Sequence, residues 1–236
     1  MTTLPSLARS HGIELDALAL ERFAAYLAFL TEQSKLHNLT AITEPEEIAR
    51  KHFLDSLLLL PWLEPTLGAS LLDVGSGAGF PGVPVAIARP DMAVTLLESN
   101  GKKADFLLAL QQLLGLDMKI IRTRAEDAAR KDELRGQFDF VTARAVASLP
   151  VLCELCLPFV KAGGSFAAMK GNAAAASEEL AGAKQAIQIL GGGKGEIRKP
   201  AIPLEYGERC CVVIRKITQT PAKYPRSYGS IMKKSL

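Results

Sequence analysis

The sequence of 236 residues lacks the segments that direct a chain into or across a membrane. The apolar run from Leu57 to Leu63 is interrupted by Pro61 and is far shorter than the roughly 20 residues that span a bilayer. Met1 to Pro5 has neither the basic start nor the apolar core of a signal peptide. Charged residues, at 22%, and hydrophobic residues, at 48%, are typical of a globular protein. We therefore expect a cytoplasmic protein with no membrane contact.

The four cysteines provide neither a disulfide framework nor a zinc site. Cys153 and Cys156 have the spacing of metal ligands, but no second pair and no nearby histidine accompanies them. Cys210 and Cys211 fall in an apolar run that is typical of a strand. No cysteine follows a proline, as the nucleophile of cytosine-C5 methyltransferases does. We predict four buried thiols, no metal ion and no covalent cysteine catalysis.

Acidic side chains outnumber basic ones except near the C-terminus. Residues 1–193 carry 18 basic and 22 acidic side chains, whereas residues 194–236 carry 10 and 3. On charge alone, this basic segment is equally compatible with a solvated tail and with contact with a polyanion.

Apolar periodicity predicts helices in the first third of the chain. A helix over residues 16–36 places apolar side chains at spacings of three and four, namely Leu20, Phe23, Leu27 and Leu30. Thr43 and Glu46 are spaced as a capping box for a second helix, which we expect to stop at Pro61. These helices form an N-terminal extension over residues 1–65.

From residue 71 onward, strand and helix patterns alternate. The predicted strands are 71–74, 94–98, 119–122, 138–143, 165–169, 195–202 and 209–215, and the predicted helices are 84–89, 102–114, 125–130, 150–160 and 173–190. Strands separated by helices imply right-handed crossovers and a mainly parallel sheet. No helix separates the last two strands, so we expect an antiparallel C-terminal strand. We interpret the glycine-rich run 191–195 as a flexible turn. The prediction is a doubly wound α/β domain over 66–216, followed by a basic tail over 217–236.

A glycine-rich loop follows the first strand and is typical of a backbone that meets a ligand. The dinucleotide fingerprint Gly-x-Gly-x-x-Gly would require its third glycine where Phe80 stands, which disfavours a nicotinamide-dependent oxidoreductase. The pattern Asp-x-Gly-x-Gly-x-Gly of S-adenosylmethionine (SAM) dependent methyltransferases is instead formed by Asp73, Gly75, Gly77 and Gly79. A carboxylate suits the cationic sulfonium and ammonium of SAM better than a pyrophosphate. A merely tight turn would need fewer glycines.

Ligands of open α/β sheets bind at the carboxyl ends of the strands, where several polar residues stand. Glu98 ends the second strand and can accept hydrogen bonds from both ribose hydroxyls of an adenosine. Ala125 and Glu126 follow the third strand, where a backbone amide and a carboxylate could reach the adenine edge. The neighbouring Asp127 is equally compatible with a helix N-cap.

Arg144 ends the fourth strand, where methyl transfer is expected, and it is our catalytic candidate. We expect it to contact a cofactor carboxylate or a substrate phosphate, with an ion pair to Asp139 or Asp73 as the alternative. A guanidinium cannot act as a general base. The Asn/Asp-Pro-Pro-Tyr/Phe motif of amino-group methyltransferases is absent at residues 143–146. An acceptor that is nucleophilic while neutral, such as N7 of guanine, would need only positioning.

Seven motifs together resemble one family, and they are spread over nearly the whole chain: Asn38 to Ile42, His52 to Ser56, Asp73 to Gly82, Glu98 to Lys103, Arg124 to Glu126, Ala143 to Ala145 and Lys223 to Arg226. The chain resembles the bacterial small-subunit ribosomal RNA methyltransferase G family, also called glucose-inhibited division protein B. The resemblance implies a seven-stranded Rossmann-like fold and methyl transfer from SAM to N7 of guanine 527 in 16S ribosomal RNA, free or in the 30S particle. It implies SAM contacts by Gly75, Phe80, Ala125, Glu126 and Arg144, with Glu98 near the ribose. We expect a monomer.

The same resemblance implies that His52, Asp55 and the basic tail face RNA or close the pocket. His52 on an apolar helix is also compatible with a core histidine. Lys102 and Lys103 open a helix against its dipole, which favours phosphate binding. In the tail, stacking and phosphate contacts with RNA would come from two tyrosines and the basic residues around them, namely Lys223, Tyr224, Arg226, Tyr228, Lys233 and Lys234. The alternatives are a SAM enzyme for another RNA or a small molecule, and a non-catalytic RNA-binding module, which would not need the glycine loop.

Overall fold

The computed structural model describes residues 3–37 and 39–236. Asn38, which opens the first recognised motif, lies outside the described residues, as do Met1 and Thr2. The strands are β1 (Ser70–Val74), β2 (Ala93–Leu97), β3 (Met118–Ile121), β4 (Phe138–Arg144), β5 (Val160–Lys170), β6 (Gly192–Arg198) and β7 (Cys210–Lys216). They form one sheet in the order β3-β2-β1-β4-β5-β7-β6.

The pairing of the strands confirms the predicted doubly wound sheet. Strands β1 to β5 pair in parallel, whereas β7 pairs antiparallel with both β5 and β6. The antiparallel C-terminal strand is therefore present. The strand order reverses between β1 and β4, which is the position where open α/β sheets bind their ligands.

Helices precede the sheet and cover it. Before β1 lie α1 (Leu4–Ser10), α2 (Ala17–His37), α3 (Pro45–Ile48), a π-helical turn (Ala49–Leu54), α4 (Asp55–Leu57) and α5 (Leu59–Leu63). After β1 follow α6 (Gly82–Ala88), α7 (Gly101–Leu114), α8 (Ala125–Ala128), α9 (Leu149–Cys156), a 3-10 turn (Leu157–Phe159), α10 (Ala173–Gly182), α11 (Lys184–Ile189) and α12 (Tyr228–Lys233). No helix in the described ranges is long and apolar enough to pass through a bilayer.

The N-terminal helices pack against the glycine loop. Phe23 and Leu30 of the predicted apolar face of α2 are fully buried, and so is Tyr26, which the prediction did not include. The ring of Tyr26 lies 5.1 Å from that of Phe53 and 5.4 Å from that of Phe80. Its hydroxyl donates a hydrogen bond to the backbone carbonyl of Ala78 in the loop. This aromatic cluster fixes the loop against α2.

Three local predictions are wrong. Thr43 forms no capping box, because Glu44 occupies the N-cap of α3 and Glu46 instead accepts a hydrogen bond from Thr3. The helical segment does not stop at Pro61, which lies in the first turn of α5, where a helix needs no backbone N–H donor. The run 191–195 is not a flexible turn, since residues 192–195 belong to β6 and pair with β7.

The C-terminal tail is folded against the domain. Arg135 donates to the backbone carbonyls of Thr220 and Tyr224, at 2.8 and 2.9 Å. Arg226 forms an ion pair with the buried Glu154 at 2.7 Å. The segment after Gly229 forms most of α12. The tail therefore belongs to the same packed unit as the sheet.

Candidate active site

Two carboxylates hold the glycine loop between the ends of β1 and β2. Asp73 is fully buried, and its Oδ2 accepts a hydrogen bond from the backbone N–H of Gly82 at 2.9 Å. Glu98 is also buried, and its Oε2 accepts from the N–H of Gly77 at 2.8 Å, while Oε1 accepts from that of Asn100 at 2.7 Å. The loop backbone is thus preorganised by the strand ends from which the sequence predicted cofactor contacts.

The glycines of the loop serve different purposes. Gly75 has a left-handed backbone, with φ of 72°, and a Cβ there would lie 2.9 Å from Cγ2 of Val146. A Cβ on Gly79 would lie 2.7 Å from Cγ2 of Val83 and 2.8 Å from the hydroxyl of Tyr26. Gly79 therefore lies where the loop packs against α2. Gly75 instead borders a pocket. Contact of Gly79 with the cofactor stays a prediction.

The second oxygen of Asp73, Oδ1, is buried and has no hydrogen-bond partner among the described residues. Burial raises the pKa of Asp73 to about 7, although the Gly82 N–H and the positive charge of Arg144 oppose this shift. An unpartnered carboxylate oxygen in a low-dielectric site is stabilised by a cationic ligand group. The residue therefore fits SAM, which carries a sulfonium and an ammonium group.

A pocket of about 140 Å³ lies beside the loop, and we name it the glycine-loop pocket. It is lined by three residues of the predicted cofactor set, Gly75, Ala125 and Glu126. Glu126 is buried, and its closest ionic contact is with Arg124 at 3.9 Å. Val146 forms a further part of the lining. The pocket thus combines a carboxylate and backbone groups with apolar surface, a composition typical of nucleoside sites.

A larger pocket of about 470 Å³ lies at the end of β4, and we name it the arginine pocket. Four cationic side chains line it, Lys51, Arg144, Lys170 and Arg209. The described lining contains His52 and a single carboxylate, Asp55. The excess of positive charge suits a phosphate-bearing ligand.

Arg144 is held by contacts on several sides. Its Nη1 donates to the backbone carbonyl of Lys51 at 3.3 Å and to Oδ2 of Asp55 at 3.2 Å. Its Nη2 lies 3.3 Å from Nδ1 of His52, and its guanidinium lies 5.0 Å from the centroid of the Phe80 ring. The side chain is only 16% exposed. Arg144 is therefore fixed at the pocket floor before any ligand binds.

The ion pair of Arg144 differs from both alternatives that the sequence suggested. Asp139 accepts hydrogen bonds from Ser70 and Lys161 instead. Asp73 contacts the glycine loop, as described above. Asp55, the actual partner, lies 89 residues upstream of Arg144, and no local pattern links the two positions. Only the family resemblance placed Asp55 near the pocket.

His52 is a neutral imidazole in this pocket. Burial and the nearby charge of Arg144 lower its pKa to about 4. Its Nδ1 lies 3.3 Å from Nη2 of Arg144 and 3.2 Å from the backbone carbonyl oxygen of Lys51, and its Nε2 lies 2.8 Å from the Thr40 hydroxyl. The ring also stacks on Phe80, with centroids 4.6 Å apart. Both ring nitrogens of His52 are therefore occupied by polar neighbours.

Asp55 is a buried carboxylate between two guanidiniums. Its Oδ2 contacts Arg144, and its Oδ1 lies 2.9 Å from Nε of Arg209. Burial raises the pKa of Asp55, and the two arginines oppose that effect. Both oxygens are thus directed at cations. The arrangement positions arginine side chains and does not present a free base.

The segment after β4 separates the two pockets. Arg144 and Ala145 line the arginine pocket, whereas Val146 lines the glycine-loop pocket. Ala145 has a left-handed backbone, with φ of 56°, which is uncommon for a residue that carries a Cβ. This conformation directs neighbouring residues to opposite sides. The arginine pocket and the glycine-loop pocket therefore meet at the end of β4.

The predicted RNA-contacting residues lie in different environments. Lys102 and Lys103 lie in the first turn of α7, and Lys102 is exposed. Lys223 is exposed, but Tyr224 is buried and Arg226 is engaged by Glu154 as described above. Tyr224 and Arg226 thus help to attach the tail. Contact of the tail and of α7 with RNA stays a prediction.

The cysteines are four buried free thiols, as predicted. Burial raises the pKa of Cys153 to about 12, so its thiol remains protonated. Within residues 3–37 and 39–236, no group of three or more His, Cys, Asp or Glu side chains could hold a metal ion.

Comparison with known sequences gives one consistent match. The family model described as rRNA small subunit methyltransferase G (GidB) matches residues 19–201. The ribosomal RNA small subunit methyltransferase G of Pelotomaculum thermopropionicum is 47% identical, over 99% of this chain and 98% of that protein. The protein of the same name from Acetivibrio thermocellus is 44% identical, over 97% of this chain and 93% of its own length.

Solved structures share the fold at low sequence identity. A SAM-dependent O-methyltransferase from Thermotoga maritima is 18% identical with a TM-score of 0.54, and the match covers 81% of this chain and 72% of that chain. A tRNA (m1A58) methyltransferase from Aquifex aeolicus is 15% identical with a TM-score of 0.54, covering 70% and 69%. These matches identify the Rossmann-like methyltransferase fold.

Proposed function

Because the chain belongs to the ribosomal RNA small subunit methyltransferase G family, we propose that it methylates N7 of guanine 527 in 16S ribosomal RNA. Membership confirms the resemblance that the sequence motifs indicated, with SAM as the methyl donor. The target atom and its position are our proposal, and so is the choice between free RNA and the 30S particle.

One observation carries this proposal, namely that no free general base lines the described arginine pocket. Burial keeps His52 neutral, and both of its ring nitrogens are occupied by polar neighbours. Asp55 is held by two guanidiniums. An exocyclic amine must lose a proton when it is methylated, whereas N7 of guanine attacks through a lone pair and loses none. A pocket that only positions its acceptor therefore suits N7.

The residues around the glycine loop suit both the cationic groups and the adenosine of SAM, the methyl donor. SAM, when bound, supplies an electrophilic methyl group on its sulfonium. Asp73 offers its unpartnered Oδ1 to a cationic group, and Glu98 and Glu126 offer carboxylate oxygens to hydroxyl or amine donors. Phe80 stacks against His52 and lies beneath Arg144, so it supports the acceptor side of the site.

The cationic lining of the arginine pocket suits the backbone of the acceptor RNA. Lys51, Lys170 and Arg209 border the pocket around Arg144. Lysine and arginine side chains position nucleic acid through phosphates, while contacts to the base determine specificity. We propose that this rim holds phosphates that flank the target guanine.

Labelling of defined RNAs tests the proposed function. The enzyme is incubated with tritiated SAM and either 30S particles or naked 16S RNA from a strain that lacks this modification. Cleavage of the RNA chain at N7-methylated guanines then locates the label. We expect cleavage at position 527. Label confined to another base, another RNA or a small molecule would overturn the proposal.

A further inference from the structure

Tyr228 lines the glycine-loop pocket although it belongs to the C-terminal tail. Its side chain is 39% exposed. Val146, another apolar residue of the same lining, is 40% exposed. Large apolar side chains left open at a concave site favour a ligand that covers them.

The tail holds Tyr228 firmly in this position. Two residues before it, Arg226 donates to the buried Glu154 through both its backbone N–H and its side chain. Three residues after it, Ile231 is fully buried in the core that contains α9. Tyr228 therefore projects from a segment that is anchored on both sides.

The surroundings of the Tyr228 ring suit a planar, nitrogen-containing base. The guanidinium of Arg124 lies 5.7 Å from the ring centroid. Arg124 precedes α8, and the next two residues, Ala125 and Glu126, line the same pocket. An aromatic ring offers a stacking surface, while a carboxylate and backbone amides can read the edge of a base.

We propose that Tyr228 contacts the adenine base of SAM, so that the tail completes the cofactor pocket. The sequence pattern suggested that Tyr228 stacks on RNA, and neither it nor the family resemblance assigned this residue to the cofactor. This inference depends on the cofactor and not on the target base, so it can fail or hold independently of methylation at guanine N7.

Calorimetric titration without RNA tests the inference. The ligands are S-adenosylhomocysteine and 5′-methylthioadenosine, which share adenosine but differ in the amino acid. Tyr228→Leu keeps apolar bulk and should weaken both ligands by about five-fold or more, since base stacking on an aromatic ring is lost. Tyr228→Phe keeps the ring and should bind both as the wild type does.

Met232→Ala is the matched control, because Met232 is an exposed residue of the same helix and does not line the pocket. It should leave both affinities unchanged, and thermal unfolding confirms that every variant is folded. Wild-type affinity in folded Tyr228→Leu would overturn the inference. A loss for S-adenosylhomocysteine alone would also overturn it, because that result places Tyr228 at the amino acid end of the ligand.

Discussion

The Asp55 carboxylate lies 3.2 Å from the Arg144 guanidinium and joins the N-terminal helical segment to the end of β4. Asp55 is 5% exposed, so this ion pair is largely desolvated. The contact connects a helix that precedes the sheet with the strand end where methyl transfer is expected. The N-terminal extension is therefore a structural part of the arginine pocket.

Removal of the Asp55 charge should destabilise the protein and impair methyl transfer. Asp55→Asn leaves the guanidiniums of Arg144 and Arg209 without a counter-charge, and breaking a buried pair in this way typically costs about 3–5 kcal/mol. Urea unfolding and single-turnover methylation measure the two effects. Asp105→Asn is the control, because its 4.0 Å pair with Arg122 is exposed. Equal, small effects in both variants would contradict a structural role for the Asp55 pair.

Methyl transfer should require the planar guanidinium of Arg144 and not only its positive charge. Arg144→Lys retains the charge but cannot contact Lys51, His52 and Asp55 at once. We expect turnover at saturating SAM to fall by about ten-fold or more in Arg144→Lys and in Arg144→Ala, with the fold retained. Wild-type turnover in Arg144→Lys would show that charge suffices. Wild-type turnover in Arg144→Ala would leave Arg144 with a structural role only.

Asp73→Asn should weaken cofactor binding and remove a pH-dependent cost to stability. The pKa of Asp73 is raised from 3.8 to about 7, so the folded state keeps a proton that the unfolded state loses between these values. Wild-type stability from this group therefore falls as pH rises from 4 to 7. The unfolding free energy of Asp73→Asn relative to wild type should rise over this window. Unchanged affinity for S-adenosylhomocysteine in the variant would contradict the role given to Oδ1.

The contribution of His52 to stability should have the opposite pH dependence to that of Asp73. Its pKa is lowered from 6.5 to about 4, so the unfolded state binds a proton that the folded state does not. Stability from this group is lost as pH falls from 6.5 to 4. His52→Gln should lose less stability than the wild type over that range in chemical unfolding experiments. Parallel pH profiles for the two proteins would show that His52 is not held neutral.

Local pattern in the sequence predicts the fold well but the site only in part. The spacing of Asp73 and the three glycines predicts the glycine loop. The strand end, the turn and the Gly82 N–H that donates to Asp73 all lie within ten residues. All seven strands are found near their predicted positions, although β5 begins five residues early and β6 begins three residues early, where Gly192 and Gly195 pair with β7. Pairing through glycines at the edge of the sheet leaves no hydrophobic periodicity in the sequence, because glycine has no side chain.

Contacts between distant segments could not be predicted from spacing. Asp55 reaches Arg144 across 89 residues, and Tyr228 joins a pocket whose other lining residues lie in strand ends, the loops after them, α8 and α9. The tail's basic composition suggested RNA contact, yet Arg226 pairs with Glu154. Burial of Glu154 and attachment of the tail are properties of tertiary packing, which composition does not encode.

We propose that the site methylates a neutral ring nitrogen without a general base. The most direct test is 16S RNA that contains 7-deazaguanine at position 527, which lacks N7 but keeps N1 and the exocyclic amine. Compared with guanine at the same position, this RNA should accept no labelled methyl group while still competing for the enzyme. Methylation of the 7-deazaguanine RNA at the rate of the guanine RNA would contradict methyl transfer to N7.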